Sequence, residues 1–292
     1  MNNFFLKHIG AILFLLTCQI NNLVLAEPIN DPVEVFVSIL PQKYFVERIA
    51  GNYANVEVMV TPGQSPETYD PSPKQLAQLS LADVYFSIGV PFEKVWMSRM
   101  RTISNELLIV DSSFETESDH AEHGHEDPHI WTSPVHVNLI ADQILEALLK
   151  KDPKHESEFR KNHESFKNDL KVLHQEIQTM LRKWAGKGVF LVMHPAWGHF
   201  AEAYQLEQIA IEHEGKSPSA KSLQYLINRA KQENIKVVFI QDQHSSRMAD
   251  TVAAEINAKV VRLDPLAIDY LQNMRKVAEA LAESLCEATH QK

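Results

Sequence analysis

Short β-branched runs alternate with segments of helical periodicity along most of the chain. In the first half, such runs predict strands at 33–40, 55–60, 84–89 and 107–111. In the second half, they predict strands at 188–194, 208–212, 235–240 and 259–264, followed by a closing helix at about 269–288. Strands that alternate with helices are typical of a mainly parallel sheet covered by helices.

A long helical tract separates these two halves. Pro153 stands where a helix start is expected, and apolar residues then recur at spacings of three, four and seven. These positions are Phe159, Phe166, Leu170, Leu173, Ile177, Leu181 and Trp184. A helix of about 32 residues would be roughly 48 Å long. A coiled-coil segment is the alternative, but a single tract between two similar halves favours a rigid connector.

The predicted fold class is therefore α/β, with two lobes joined by one long backbone helix. Each lobe holds a mainly parallel four-stranded sheet flanked by helices, and a cleft lies between the lobes. We expect the first lobe at 27–135, a helical region with the connector at 136–187, and the second lobe at 188–292. A mature chain of this length is able to bury more than one core.

Residues 1–26 have the pattern of a cleavable secretory signal peptide. A lysine precedes an apolar run from Ile9 to Ile20, and the segment ends in small residues at Ala26. An uncleaved membrane anchor is the alternative, but polar residues interrupt the run before the roughly 20 apolar residues that a spanning helix needs. Lipid attachment at Cys18 is disfavoured by the threonine before it. We expect cleavage after Ala26 and a periplasmic location.

Charge and cysteine content limit the ligands of the mature chain. The net charge is −10, and removal of residues 1–26 leaves 28 − 1 = 27 basic against 38 acidic residues, or −11. Nucleic acids and anionic membranes are poor partners for such a surface, whereas cations are suitable ligands. Only Cys18 and Cys286 are present, so the mature chain has no internal disulfide. A transition-metal site here must use imidazole and carboxylate groups.

Four candidate ligands fall beyond the carboxyl ends of predicted strands, where open α/β sheets bind their ligands. They are Glu67, His129, His194 and Asp264, two from each half of the chain. Each has an ordinary alternative when taken singly: an idle loop residue, a core histidine, or an aspartate that starts a turn before proline. Together they supply two imidazoles and two carboxylates, a set suited to Zn²⁺, Mn²⁺ or Fe²⁺.

Several stretches resemble one protein family in the same order. They are "GQSPETYDPSPKQL", "DPHIWTSPVHV", "HPAWGHFAEAY", "EGKSPSAKSL" and "LDPLAIDYLQNM". The chain is similar over essentially its whole mature length to the periplasmic solute-binding proteins of zinc and manganese ABC transporters. The resemblance implies two α/β lobes bridged by one helix, and a monomer that delivers one divalent ion to a membrane permease. It assigns metal-ligand roles to His129, His194 and Asp264.

Glu67 departs from the family pattern, because members usually carry a histidine at this position after the proline. Glu67 is therefore either a carboxylate ligand or a spectator. If it is a spectator, water, Glu214 or a histidine of the 120–125 loop would complete the ligand shell. A histidine at the position of His194 is typical of zinc-type members, whereas the overall set of two histidines and two carboxylates is typical of manganese-type members. Because affinity order favours zinc, we predict zinc, with manganese or iron as the alternative.

His120, His123 and His125 lie in a short acidic stretch without apolar periodicity. A solvated surface loop and a metal-gathering loop are both compatible with this composition.

Two other functions compete with a transport role. A secreted metalloenzyme would use His129, His194 and Asp264 as a two-histidine, one-carboxylate site with Glu67 as base. No HExxH, GxSxG or glycine-rich cofactor motif supports this alternative, so we predict a protein that is not an enzyme. An adhesin that kept the fold and lost the metal is the other alternative.

Overall fold

The computed structural model describes residues 31–113, 127–212, 218–243 and 245–289. The predicted signal peptide at 1–26, the histidines of the 120–125 loop and Glu214 lie outside these residues. Pro32–Lys292 forms one compact unit that contains both sheets. In the described part of the chain, no helix is both long and apolar enough to cross a bilayer.

The first sheet consists of four parallel strands from the first half of the chain. They are β1 (Val33–Val37), β2 (Ala54–Val58), β3 (Val84–Ser87) and β4 (Leu108–Asp111). Their order across the sheet is β2-β1-β3-β4. The crossovers that parallel strands require contain α1 (Leu40–Ala50), a 3₁₀ turn (Gly51–Tyr53), α2 (Pro73–Leu79) and α3 (Pro91–Met100). Proline near each helix start fits the missing donor there.

Helices fill the middle of the chain. A 3₁₀ turn (Ile130–Thr132) leads into α4 (Pro134–Lys151), and a second turn (Pro153–His155) leads into α5 (Glu156–Leu181). A third turn (Arg182–Trp184) closes the tract. All seven apolar positions predicted for this tract are buried. The long helix expected from the sequence is thus confirmed, with 26 residues in regular α-helix.

The second sheet repeats the plan of the first. Its parallel strands are β5 (Val189–Val192), β6 (Glu207–Ala210), β7 (Val237–Ile240) and β8 (Lys259–Arg262), in the order β6-β5-β7-β8. The helices of this half are α6 (Gly198–Ala203), α7 (Ala220–Gln232), α8 (Arg247–Ile256) and the closing α9 (Tyr270–Thr289). The predicted fold class, two parallel four-stranded sheets with a long helix between them, is confirmed. The domain boundaries remain predictions.

The connector α5 belongs to the core of both halves. It packs against α1 and α4 of the first half of the chain and against α9 at its end. One continuous hydrophobic core includes the first sheet, α5, α9 and the β5–β7 residues Phe190 and Phe239. A second core lies on the opposite face of the second sheet, under α7 and α8. Because α5 contributes to the larger core, the carboxyl ends of the two sheets are held next to each other.

Candidate metal centre

Loops at the carboxyl ends of both sheets enclose a small pocket of about 20 Å³. Its lining comes from the segments after β2, β3, β4, β5, β7 and β8. The lining residues are Ser65, Pro66, Glu67, Val90, Pro91, Pro128, His129, Trp131, His194, Gln241, Gln243, Pro265 and Leu266. Three of the four predicted ligands are therefore brought together. A space of this size is suited to one water molecule or one ion.

His194 follows β5 and is only 5% exposed. Its Nε2 lies 2.9 Å from Oε1 of Glu67, and its Nδ1 lies 3.4 Å from Oε2 of Glu212. Burial lowers the pKa of His194, but the neighbouring carboxylates of Glu212 and Glu67 outweigh burial and raise this pKa to about 9. The imidazole therefore carries a proton at neutral pH in this arrangement, and a metal ion has to displace that proton before His194 can act as a ligand.

His129 enters the pocket from the segment between β4 and α4. Its Nδ1 lies 2.7 Å from Oδ1 of Asp127, and the same oxygen accepts a hydrogen bond of 3.0 Å from the His129 backbone N–H. Burial raises the pKa of Asp127, but the charge and hydrogen bonds of His129 outweigh burial and lower it. The next residues anchor this segment: the buried Trp131 donates from Nε1 to the Pro265 carbonyl at 2.8 Å. This bond links the two halves at the pocket.

The rings of His129 and His194 both line the pocket and meet edge to face, with centroids 5.3 Å apart and planes at 73°. Glu67 reaches them from the loop after β2. The carbonyl of the neighbouring Pro66 accepts from the Phe92 N–H at 3.2 Å, which ties this loop to the start of α3. The structure thus places Glu67 within reach of an imidazole, as expected for a residue of the binding edge.

Asp264 lies in a neighbouring cleft of about 330 Å³. Gln243 and Leu266 line both this cleft and the small pocket. Oδ1 of Asp264 accepts from the Leu266 N–H at 2.9 Å and from Nε2 of Gln243 at 3.4 Å. Asn273 donates to the Asp264 carbonyl at 2.7 Å. The carboxylate therefore stabilises the turn before α9 in this conformation. This is the role that the sequence offered as the alternative to a metal ligand.

Among the described residues, no group of three or more His, Cys, Asp or Glu side chains is arranged so that it could hold one ion. In this conformation Glu67 and His194 contact each other, and Asp264 accepts hydrogen bonds from its own turn, so these groups are engaged with protein partners. The sequence reasoning did not single out Asp127 or Glu212. Glu212 follows β6 at the same sheet edge, so the rule that found the other candidates would also have found it.

Glu93 fixes the loop after β3, which contributes residues 90–91 to the pocket. Its side chain is buried and contacts the Ser38 hydroxyl, which donates to Oε1. The Ile88 N–H donates to both carboxylate oxygens at 3.0 and 3.1 Å, and the Gly89 N–H donates to Oε2 at 2.7 Å. Burial raises the pKa of Glu93 to about 7, although the hydrogen bonds from Ser38, Ile88 and Gly89 oppose that rise.

This raised pKa predicts a stability that falls as the pH rises. Below pH 4.5, the carboxyl is protonated in both the folded and the unfolded state, so it adds no penalty. Between pH 4.5 and about 7 the unfolded state ionises first, and above pH 7 folding carries the full cost of about 3 kcal/mol. We expect Glu93→Gln to remove that part of the pH dependence.

Urea unfolding of metal-free protein at pH 4.5 and pH 8 measures the effect. The loss of unfolding free energy between these pH values should be about 3 kcal/mol larger in the wild type than in Glu93→Gln. Glu47→Gln is the control, because Glu47 lies on the surface of α1. Equal pH dependence in wild type and Glu93→Gln would contradict the raised pKa of Glu93.

Known proteins similar to this chain agree with the family resemblance seen in the sequence. A family model described as the periplasmic zinc-uptake complex component A, ZnuA, matches residues 35–284. The high-affinity zinc uptake system protein ZnuA of Bacillus subtilis is 29% identical over 287 residues, which cover 89% of this chain and 90% of that protein.

Solved structures show the same architecture. A crystal structure of ZnuA superposes with a TM-score of 0.81 at 38% identity and covers 87% of this chain and 99% of that chain. The laminin-binding protein Lmb of Streptococcus agalactiae, described as a bifunctional adhesin and metal transporter, gives a TM-score of 0.79 at 25% identity, with 87% and 99% covered. Both similarities extend over the two sheets and the connector.

Proposed function

The chain belongs to the family of periplasmic zinc-uptake complex components, and on that premise we propose that it captures a divalent transition metal ion, zinc first, and delivers it to an ABC permease. The observation that carries this proposal is the pairing of His129 and His194, which reach one pocket of about 20 Å³ from different sheets. Imidazole is a ligand that zinc prefers. Manganese or iron is the alternative cargo.

Metal binding then requires an exchange of partners in the pocket. Nε2 of His194 gives up the proton that it shares with Glu67, and the ion takes the place of that proton. Glu67 remains next to the ion as a carboxylate ligand. Asp264 joins when its carboxylate turns away from the Leu266 N–H, over the boundary that the two cavities share. His129, His194, Glu67 and Asp264 form the proposed ligand set.

The proposed ligand shell favours transport over catalysis. The pocket between the two imidazoles, of about 20 Å³, is suited to a single ion. A shell of four protein ligands also leaves no open position for a substrate, which a catalytic zinc site needs. We therefore propose a protein that binds and releases the ion without chemistry, located in the periplasm and acting as a monomer.

Protein purified without chelators or affinity metals tests this function. We expect elemental analysis to find zinc, and titration of the stripped protein to show one zinc ion per chain. Ligand binding to the folded state should raise the free energy of unfolding by about 4 kcal/mol when free zinc exceeds Kd a thousandfold. Competition with Mn²⁺ identifies the preferred cargo, and preference for Mn²⁺ would support the alternative.

The same titration decides the role of Glu67. Glu67→Gln keeps the size of the side chain and removes its charge, so a lower zinc affinity is expected if Glu67 is a ligand. Glu57→Gln, on the exposed side of β2, serves as the matched control. Unchanged affinity in Glu67→Gln would make Glu67 a spectator. Failure of the wild type to retain any metal would favour the alternative of an adhesin that kept the fold and lost the metal.

A further inference from the structure

Each imidazole of the pocket has a carboxylate next to Nδ1. For His129 this carboxylate is Asp127, with Oδ1 at 2.7 Å, and for His194 it is Glu212, with Oε2 at 3.4 Å. The two carboxylates come from different parts of the chain, and neither lines the pocket. The other ring nitrogen of His194, Nε2, points to Glu67 inside the pocket.

A carboxylate at Nδ1 has a defined effect on a metal-binding histidine. It holds the proton on Nδ1, so the lone pair that binds the metal is on Nε2. It also fixes the plane of the ring and makes Nε2 a stronger donor. The hydrogen bond of 2.7 Å with Asp127 therefore presets the Nε2 lone pair of His129, and the Glu212 carboxylate, 3.4 Å from Nδ1 of His194, favours the same tautomer there.

Asp127 is itself held in place by the second half of the chain. A Cβ atom added at Gly198, at the start of α6, would lie 2.5 Å from Oδ2 of Asp127, so only glycine allows this approach. Nε2 of the buried His199 lies 2.9 Å from the Asp127 carbonyl oxygen and 3.9 Å from Oδ2. The carboxylate that orients His129 thus packs against α6.

Glu212 is fixed by the second sheet. Its backbone N–H donates to the Met193 carbonyl at 2.9 Å, which continues the pairing of β6 with β5 beyond the strand ends. Because Met193 directly precedes His194, the carboxylate and the imidazole are set side by side by the backbone. The Glu212 side chain is only 14% exposed, which limits its movement.

We propose that Asp127 and Glu212 are positioning residues that orient His129 and His194 for the metal ion. This inference rests on the proposed function. It adds two residues to the site that do not touch the ion and that act through the ring nitrogen facing away from it. Loss of either partner should weaken zinc binding about 10–100-fold.

The test measures zinc affinity by chelator competition in Asp127→Ala, Asp127→Asn, Glu212→Ala and Glu212→Gln. The alanine variants should lose about 10–100-fold in affinity, and the amide variants, whose oxygen still accepts from Nδ1–H, should recover part of that loss. The matched control is Asp152→Ala. Asp152 also accepts from a backbone N–H, that of Lys154 at 3.2 Å, and lies 2.5 Å from Nδ1 of His155, but it is remote from the pocket.

A spectroscopic measurement separates positioning from a general structural role. Long-range ¹H–¹⁵N spectra of the zinc-loaded protein should show Nδ1–H and metal-bound Nε2 for both histidines in the wild type. Asp127→Ala should change this signature for His129 alone, and Glu212→Ala for His194 alone. If Asp127→Ala fails to fold, Gly198→Ala provides the substitute, because its added Cβ displaces Asp127 while all polar groups remain, and if Glu212→Ala fails to fold, Glu212→Gln takes its place.

The outcomes distinguish this inference from the proposed function. If the wild type binds zinc while the alanine variants match Asp152→Ala in affinity and show unchanged tautomers, the positioning role is refuted and the transport function stands. If the wild type binds none of zinc, manganese and iron, the proposed function fails, and the positioning role fails with it.

Discussion

Replacing His194 with alanine is expected to weaken zinc binding by more than the roughly 100-fold that loss of a ligand-orienting partner costs. His194 is buried at the end of β5 and presents Nε2 to the pocket, 2.9 Å from Glu67. The variant keeps the backbone and removes one of the two imidazole ligands of the proposed set. Competition with a chromophoric chelator at pH 7.5 measures the loss.

His163→Ala is the matched control for this experiment. His163 is a partly buried histidine of α5 whose Nε2 pairs with Oδ1 of Asp142 at 2.7 Å, so its removal also breaks an imidazole–carboxylate contact. We expect wild-type affinity in this variant. Zinc binding by His194→Ala at wild-type strength would refute the proposed centre and would point to a different site.

The strands could be predicted because runs rich in β-branched and aromatic residues bury well on both faces of a covered parallel sheet, as in β3 and β7. Their ends could not be read from the sequence, since most strands stop two or three residues before the apolar run does. The residues beyond β5 show why: Met193 still pairs with the Phe239 carbonyl, but His194 turns out of the sheet into the pocket. Apolar character continues where the strand ladder has ended.

The candidate site could also be predicted only in part: three of the four predicted ligands line one pocket. The rule of strand carboxyl ends brought Glu67, His129 and His194 to one pocket because their loops follow parallel strands in two adjacent sheets. Asp264 follows the same rule, yet its carboxylate bonds to the Leu266 N–H, a local turn that competes with a role in the pocket. The contact of Glu212 with a particular ring nitrogen depends on side-chain geometry, which strand patterning does not specify.

Phe166→Ala is expected to lower the free energy of unfolding by about 3–5 kcal/mol. Phe166 is fully buried on α5. Its ring centroid lies 6.1 Å from that of Tyr44 and 5.9 Å from that of Phe45, and the Arg48 guanidinium lies 5.2 Å from it. Alanine would leave a cavity between α5 and α1 that the surrounding side chains fill only in part. Urea denaturation followed by circular dichroism measures the loss.

The shape of that transition tests whether α5 is a connector or part of a shared core. Residues of α5 lie in one hydrophobic core with the first sheet, α9 and Phe190 of the second sheet, so we expect Phe166→Ala to shift a single cooperative transition. Val172→Ala, at an exposed position of the same helix, should change the unfolding free energy by less than about 1 kcal/mol. Two separate transitions in Phe166→Ala would mean that the halves unfold independently. In that case α5 would hold His129 and His194 together only as a tether, and the pocket would owe its geometry to local contacts between the halves, such as Trp131–Pro265, Asp127–His199 and Glu67–His194.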